Sequence, residues 1–337
     1  MMTRLRYLIS IIAVLFAAVA VWALDGMVLF TSNAPFNQGD LKLKYLSTGN
    51  VITLEKGGAF GASFSPDGKS VAFSKNANQI TTMSIAGEGR NVVTGCGGGN
   101  VQVTVTWVGA DNLYWSQNDK HLYKIKTNGS GKATVFTYSK NIHNAGVSQD
   151  GKRAAWTSPS WVLGLGDLST GKGWEKGGGC QGSISPDGKY YTHNQESHKD
   201  CIIGKFDGGT LKTIHPPTGT FNAHRWSHKS NDHVLYTLEK SNKCYVHDIT
   251  TNNTVEVATG FIWDYFPSEV SANPVSAMPQ KALVINQTAP VRSAQPLSLF
   301  SANGRRIFHH ALHIAPQIII EHRAKGTMRL HGAGTRD

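Results

Sequence analysis

The 337-residue chain is 40% apolar and only 16% charged, and it carries 36 Gly and four Cys. Charge well below the ~25% of an ordinary soluble protein, with Gly above its ~7% share, excludes coiled-coil, long-helix and acidic-disordered organisations and favours turn-rich β structure. The net charge of +11 sits at the ends: residues 1–24 carry +2, residues 25–267 hold 23 Lys/Arg against 19 Asp/Glu, and residues 268–337 hold 8 against 3. A nucleic-acid binder concentrates cations on its folded body to displace phosphate counterions, so the nearly balanced body argues against a nucleic-acid partner.

From the N-terminus, Arg4 and Arg6 precede an apolar run from Leu8 to Val21, and Val21-Trp22-Ala23 is an acceptable cleavage pattern. Residues 1–23 therefore read as a signal peptide. The run is shorter than the ~20 residues that span a bilayer, so no stable transmembrane segment is expected after processing.

Residues 25–267 are organised by an internal repeat. Phe64-Ser-Pro-Asp-Gly-Lys69 precedes Val71-Ala72-Phe73, Ile184-Ser-Pro-Asp-Gly-Lys189 precedes Tyr190-Tyr191, and Val147-Ser-Gln-Asp-Gly-Lys152 precedes Ala154-Ala155-Trp156. With degenerate copies included, the turn Asp residues stand at 25, 67, 111, 150, 187 and 232, a period of about 41. Each unit reads as four short antiparallel strands around a Pro-Asp-Gly-type turn and a later Thr-Gly- or Asn-Gly-type turn. A four-stranded sheet of this size buries both faces only against like neighbours, which predicts a β-propeller. Phe261–Pro267 resembles the strand before each turn but lacks the turn itself. It is expected to close the ring by completing the first blade, giving six blades.

The Ser-Pro-Asp-Gly-Lys units at 64–69 and 184–189 resemble those of TolB-type, WD-like propellers of exported bacterial proteins, over about residues 25–267. That resemblance implies the fold but not an activity, because such blades serve scaffolds, receptors and enzyme modules alike. The extra domain that precedes the propeller in TolB has no room between the signal and the first unit.

Function in a propeller concentrates where loops enter the innermost strands. Aligning the units places Phe60, Val103, His143, Cys180, Asn222 and Phe261 at one equivalent position, with Gly61, Thr104, Asn144, Gln181, Ala223 and Ile262 next. The candidate ligand-binding residues are His143, Asn144, Gln181, Asn222, His224, Arg225, Trp263 and Asp264. Their imidazole, amide, guanidinium, carboxylate and indole groups suit hydrogen bonding and stacking on a glycan, or contact with a protein partner. The alternative reading is that these groups bond one another around channel water.

His193, Gln195 and His198 are the candidates for a divalent metal, since Gln195-Glu-Ser-His198 resembles the Gln-x-x-His ligands of propeller-type oligogalacturonate lyases. That likeness implies a metal-dependent carbohydrate-active enzyme as the alternative function. Asp200 stands where those lyases place a further His. Gly-x-Ser-x-Gly is absent, which removes a Ser-hydrolase partner and favours binding over catalysis. A third alternative is a structural surface protein without a small ligand. Asp67 and Asp187 read as turn formers. Of the four Cys, Cys96 and Cys180 stand two blades apart, whereas Cys201 and Cys244 occupy matching places in successive blades and are the better disulfide pair; free buried thiols are the alternative.

Residues 268–296, rich in Ser, Ala, Pro, Asn and Gln, read as a linker. Strands are expected again over 297–337: Leu297-Ser-Leu-Phe300, an Asn303-Gly304 turn with Arg305-Arg306-Ile307, then Ala315–Ile320 and Gly326–Leu330. This order resembles the C-terminal sorting domain of type IX secretion substrates, with Gln317 where that family has Gly. It implies an export machinery that recognises both ends of the chain. The expected location is extracellular or on the outer cell surface, with the periplasm second. The expected fold is all-β: a six-bladed β-propeller with a small C-terminal β tail domain.

Overall fold

A computed structural model describes residues 24–32, 39–97, 103–159, 161–195 and 197–268, and the backbone of two strands near the C-terminus. The signal segment, almost all of the linker and residues 297–318 lie outside the described residues. The chain divides into two compact units, Met1–Ala272 and Asn273–Asp337. In the second, Ile319–His322 pairs antiparallel with Met328–His331, Ile319 opposite His331.

The first unit is built of antiparallel strands, with no helix among the described residues. In chain order they begin β1 (Gly26–Thr31), β2 (Gly39–Tyr45), β3 (Val51–Phe64), β4 (Ser70–Lys75), β5 (Gln79–Ser84) and β6 (Asn91–Gly95). The next sheet holds β7 (Thr104–Val108), β8 (Asn112–Ser116), β9 (Asp119–Lys126), β10 (Ala133–Val147), β11 (Arg153–Ser158), β12 (Val162–Asp167) and β13 (Lys172–Gly178). Two four-stranded sheets follow, β14 (Ser183–Ile184), β15 (Tyr190–Asn194), β16 (Cys201–Lys205) and β17 (Thr210–Ile214), then β18 (Phe221–Trp226), β19 (His233–Leu238), β20 (Lys243–Asp248) and β21 (Thr254–Thr259). Last comes β22 (Phe261–Pro267), which pairs not with its predecessor but with β1, Met27 opposite Phe266.

The long strands β3 and β10 each serve two four-stranded groups. The first part of β3 pairs with β2 and its end with β4, and β10 likewise passes from β9 to β11. Gly57 and Gly58, at φ 57° and 64°, make the bend in β3.

The repeated motif is turn chemistry. Ser65 Oγ donates to Asp67 Oδ1 at 2.6 Å, the Lys69 N–H donates to the same oxygen, and the Ser70 N–H donates to Ser65 Oγ. Gly68, at φ 69°, supplies the left-handed residue that the turn requires. Ser148 and Asp150, and Ser185 and Asp187, repeat the same three bonds. The Ser65 hydroxyl and the Lys69 amide hold the Asp67 carboxyl below its ordinary range.

The sheets bury apolar residues on both faces, and the interfaces follow one another around a circuit. Ala72 and Ile80 pack on Val105 and Trp107; Tyr114 and Phe136 on Val147 and Trp156; Ala155 and Leu165 on Ile184 and Tyr191; Ile203 and Ile214 on Trp226 and Tyr236. Leu235 and Val246 then meet Val28, Phe30 and Ile262, and Trp263 meets Phe60 and Phe64, which returns the circuit to its start. Each sheet thus hides its apolar faces against its neighbours, the arrangement that defines a β-propeller. Cys201 and Cys244 do not form the disulfide weighed for them: Cys201 packs on Ile203 and Ile214, Cys244 on Val246, and all four thiols are free and buried.

Candidate ligand-binding channel

The inner strands are the end of β3, β7, the end of β10, β14, β18 and β22; β3 contacts β7 and β22, β10 contacts β7 and β14, and β14 contacts β18. Serines tie them across the gaps: the Trp107 N–H donates to Ser63 Oγ at 3.2 Å and the Trp226 N–H to Ser183 Oγ at 2.9 Å, while Ser227 Oγ donates to the Tyr265 carbonyl. Between them lies a polar cavity lined by Thr104, Thr106, Asn144, Gln181, Ser183, His224, Arg225 and His228. Its enclosed heart has room for about one water molecule.

Gly61 in β3, Asn144 in β10 and Gln181 just before β14 occupy the equivalent place in three units, and all are left-handed, at φ 54°, 51° and 63°. At Gly61 a Cβ would collide with the Val103 carbonyl and Thr104, so only Gly fits. Asn144 and Gln181 keep side chains despite the backbone cost and line the cavity with them. Left-handed residues other than Gly cluster where a site needs a particular orientation. Thr157 Oγ1 accepts the Gln181 N–H and holds the bend.

Two neighbours on β18 carry the unusual electrostatics. His224 is 1% exposed, and neither ring nitrogen has a hydrogen-bond partner. Burial, with the charges of His193, Arg225 and His198, holds it well below the ordinary imidazole value, so it is neutral. The Arg225 guanidinium stacks 4.3 Å from the Trp263 ring and 5.5 Å from Phe261, and its Nε is buried without a partner. Burial lowers Arg225 to about 10, leaving it charged at neutral pH. Its one compensating charge is Asp264.

Asp264 is itself fully buried and spends both oxygens inside the protein. Oδ1 accepts the N–H groups of His228 (3.0 Å) and Tyr265 (2.9 Å); Oδ2 accepts the Phe64 N–H (2.9 Å) and the Ser63 hydroxyl (3.3 Å). It therefore ties β22, β3 and the segment after β18 together rather than facing a ligand. Trp263, expected as a stacking surface, is 1% exposed, wedged between Phe60 and Phe261, and donates from Nε1 to Thr31 Oγ1. Lys229 crosses from the segment after β18 to the Trp107 carbonyl at 3.3 Å, and burial lowers it to about 8.

His143 and Asn222 are half-buried at register breaks of β10 and β18. Burial lowers the His143 pKa. His193 and His198 lie near His224, but Gln195 is exposed; Cys180 Sγ donates to Asn194 Oδ1 at 3.1 Å and lies 3.4 Å from His198 Nε2. Among the described residues no group of three or more His, Cys, Asp or Glu is placed to hold a metal ion.

Sequence reasoning missed Thr106, Ser183, His228 and Lys229. The last two had a signal: Ser227-His228-Lys229 replaces the Ser-Pro-Asp of the repeat, putting a base and a cation where other units place turn formers. That departure turns His228 and Lys229 toward Asp264, with His228 Nδ1 3.4 Å from Oδ2.

No family model matches the sequence, and no curated protein matches it. Among solved structures the fold is similar to a chain in the crystal structure of the nidogen/laminin complex, with TM-score 0.53 and 11% identity over 68% of this chain and 92% of that one. It is also similar to TolB from Acinetobacter baumannii, with TM-score 0.54 and 14% identity, covering 70% of this chain and 65% of TolB. At these identities the likeness is one of fold, and the chain folds as a TolB-like β-propeller.

Proposed function

We propose that the chain is an exported, six-bladed β-propeller that binds a partner at the channel mouth formed by β10, β14 and β18, with His143, Asn144, Gln181, Asn222, His224 and Arg225 as the contacting groups. Six four-stranded groups, the first completed by β22, support the blade count. The binding reading is carried by His224, which is fully buried beside a polar cavity with neither ring nitrogen satisfied by the protein. Buried polar groups are almost always paired, so an unpaired one aimed at an opening points to a partner from outside. A protein partner is favoured over a glycan, because the Trp263 face a sugar would stack on is already covered. The nidogen fold was solved in complex with laminin, which supports the same kind of partner. The apolar N-terminal run and the sorting-type tail support display at the cell surface or release from it.

The test is a screen of the full chain against displayed peptide libraries and arrays of glycans and cell-wall polymers, with and without divalent metal. Binders should weaken at least tenfold in Asn222→Ala combined with Gln181→Gly, which suits the left-handed backbone there, while the melting temperature holds. Binding that is indifferent to both substitutions contradicts the mouth.

A further inference from the structure

Arg225 is a half-buried cation whose Nε is enclosed without a partner. Among the described residues its guanidinium makes no hydrogen bond and no ion pair within 4.0 Å; it lies over the faces of Trp263 and Phe261. A guanidinium partly withdrawn from water in this way normally gains a carboxylate or carbonyl in exchange. The nearest carboxylate, Asp264, is committed to three backbone N–H groups and a hydroxyl and also faces His228 and Lys229. Lys229 has both Asp264 and Asp67 as counter-charges, so Arg225, with Asp264 alone, is the less compensated of the two channel cations. Around the unpaired fork stand further donors: the neutral His224 imidazole, unpartnered at both nitrogens, His228 with Nδ1 short of a hydrogen bond, and the Gln181 amide.

We propose that the channel is an anion receptor in which the Arg225 guanidinium takes a carboxylate group in bidentate fashion, with His224 and Gln181 donating to the same oxygens. A planar fork matched to two oxygens is the pairing that guanidinium geometry favours. Stacking on Trp263 fixes the guanidinium plane before the ligand arrives, which lowers the ordering cost of binding. Such a carboxylate has two sources, a free small acid or an acidic residue or C-terminus of a bound polypeptide. The inference rests on the channel mouth being the binding face.

The experiment titrates the full chain with acetate, with succinate and with a peptide that ends in Asp-Glu, following melting temperature and tryptophan emission at fixed ionic strength. Sodium chloride and an amidated, Asn-Gln version of the peptide are the controls. The same titrations use Arg225→Gln, which removes the fork, and Arg225→Lys, which keeps charge alone. Saturable binding of a carboxylate that falls at least tenfold in Arg225→Lys and is lost in Arg225→Gln supports the proposal. Response to acetate identifies a free acid as sufficient, and response to the acidic peptide alone identifies a polypeptide source. Equal responses to chloride, an unaltered titration in Arg225→Gln, or no response to any carboxylate overturns it. If Arg225→Gln does not fold, Arg225→Lys against the wild type decides. Binders from the library and polymer screen that lose affinity with Asn222→Ala and Gln181→Gly but not with Arg225→Gln would overturn the anion receptor and leave the mouth standing.

Discussion

Replacing Asp264 by Asn keeps the shape of the side chain and removes only its charge and half of its accepting power. Turned one way the amide NH2 opposes the His228 and Tyr265 N–H groups; turned the other it opposes the Phe64 N–H, while the Ser63 hydroxyl can rotate to accept from it, so at least one N–H loses its acceptor. One charge-assisted bond is then lost, at about 1.5–3 kcal/mol. In a domain of this size each kcal/mol moves the melting temperature by about 2–4 °C, so Asp264→Asn should melt about 3–12 °C lower in differential scanning calorimetry. Since Asp264 joins the closing strand to its neighbours, near-ultraviolet dichroism and heat should report one cooperative loss. A shift smaller than about 3 °C would show that the carboxylate is not the clasp described here.

Gly164→Ala should destabilise by roughly 1–3 kcal/mol, because a Cβ there overlaps the Trp156 indole, itself boxed in by Phe136 and Tyr138. Denaturant melts should show the cost shrinking in a Trp156→Phe background, and an equal cost in both backgrounds would refute the overlap. Acidification provides a further test: burial lowers His247 to about 4, so the unfolded chain takes up its proton first and stability falls as pH drops from 6.5 toward 4. His247→Gln should flatten that slope of melting temperature against pH, and an unchanged slope would contradict it. Burial pushes the Cys96 thiol up to about 12 and raises Cys180, Cys201 and Cys244 as well. A thiol reagent should therefore react with none of the four in the native chain and with all four after denaturation without reductant; a titre of two would reveal a disulfide.

The turns were the most legible part of the chain, because Ser-Pro-Asp-Gly encodes its own hydrogen bonds: Ser65, Asp67 and Gly68 need nothing from the rest of the fold. The strand at 261–267 was legible for the same local reason, as an apolar run without its turn. Which way its side chains face was not, since Asp264 and Trp263 are set by a register break opposite Leu29 and Phe30 that depends on tertiary packing. Asn144 and Gln181 were found by aligning repeats, yet their left-handed backbone could be read only from coordinates. Cys201 and Cys244 show the limit of register arguments: matching places in successive sheets put each thiol among its own neighbours, not opposite the other. His228 and Lys229 were visible as a broken repeat, but their shared target is remote in sequence.

Nuclear magnetic resonance of the full chain carrying ¹⁵N-labelled arginine examines the unpaired guanidinium itself. Its buried Nε–H, assigned by its disappearance in Arg225→Lys, should exchange slowly and move in a saturable way as a carboxylate is added, while the resonances of exposed arginines stay in place. An Arg225 signal that is unmoved at carboxylate saturation of the chain, or that moves only in step with the surface arginines, would contradict a receptor at the centre of the channel.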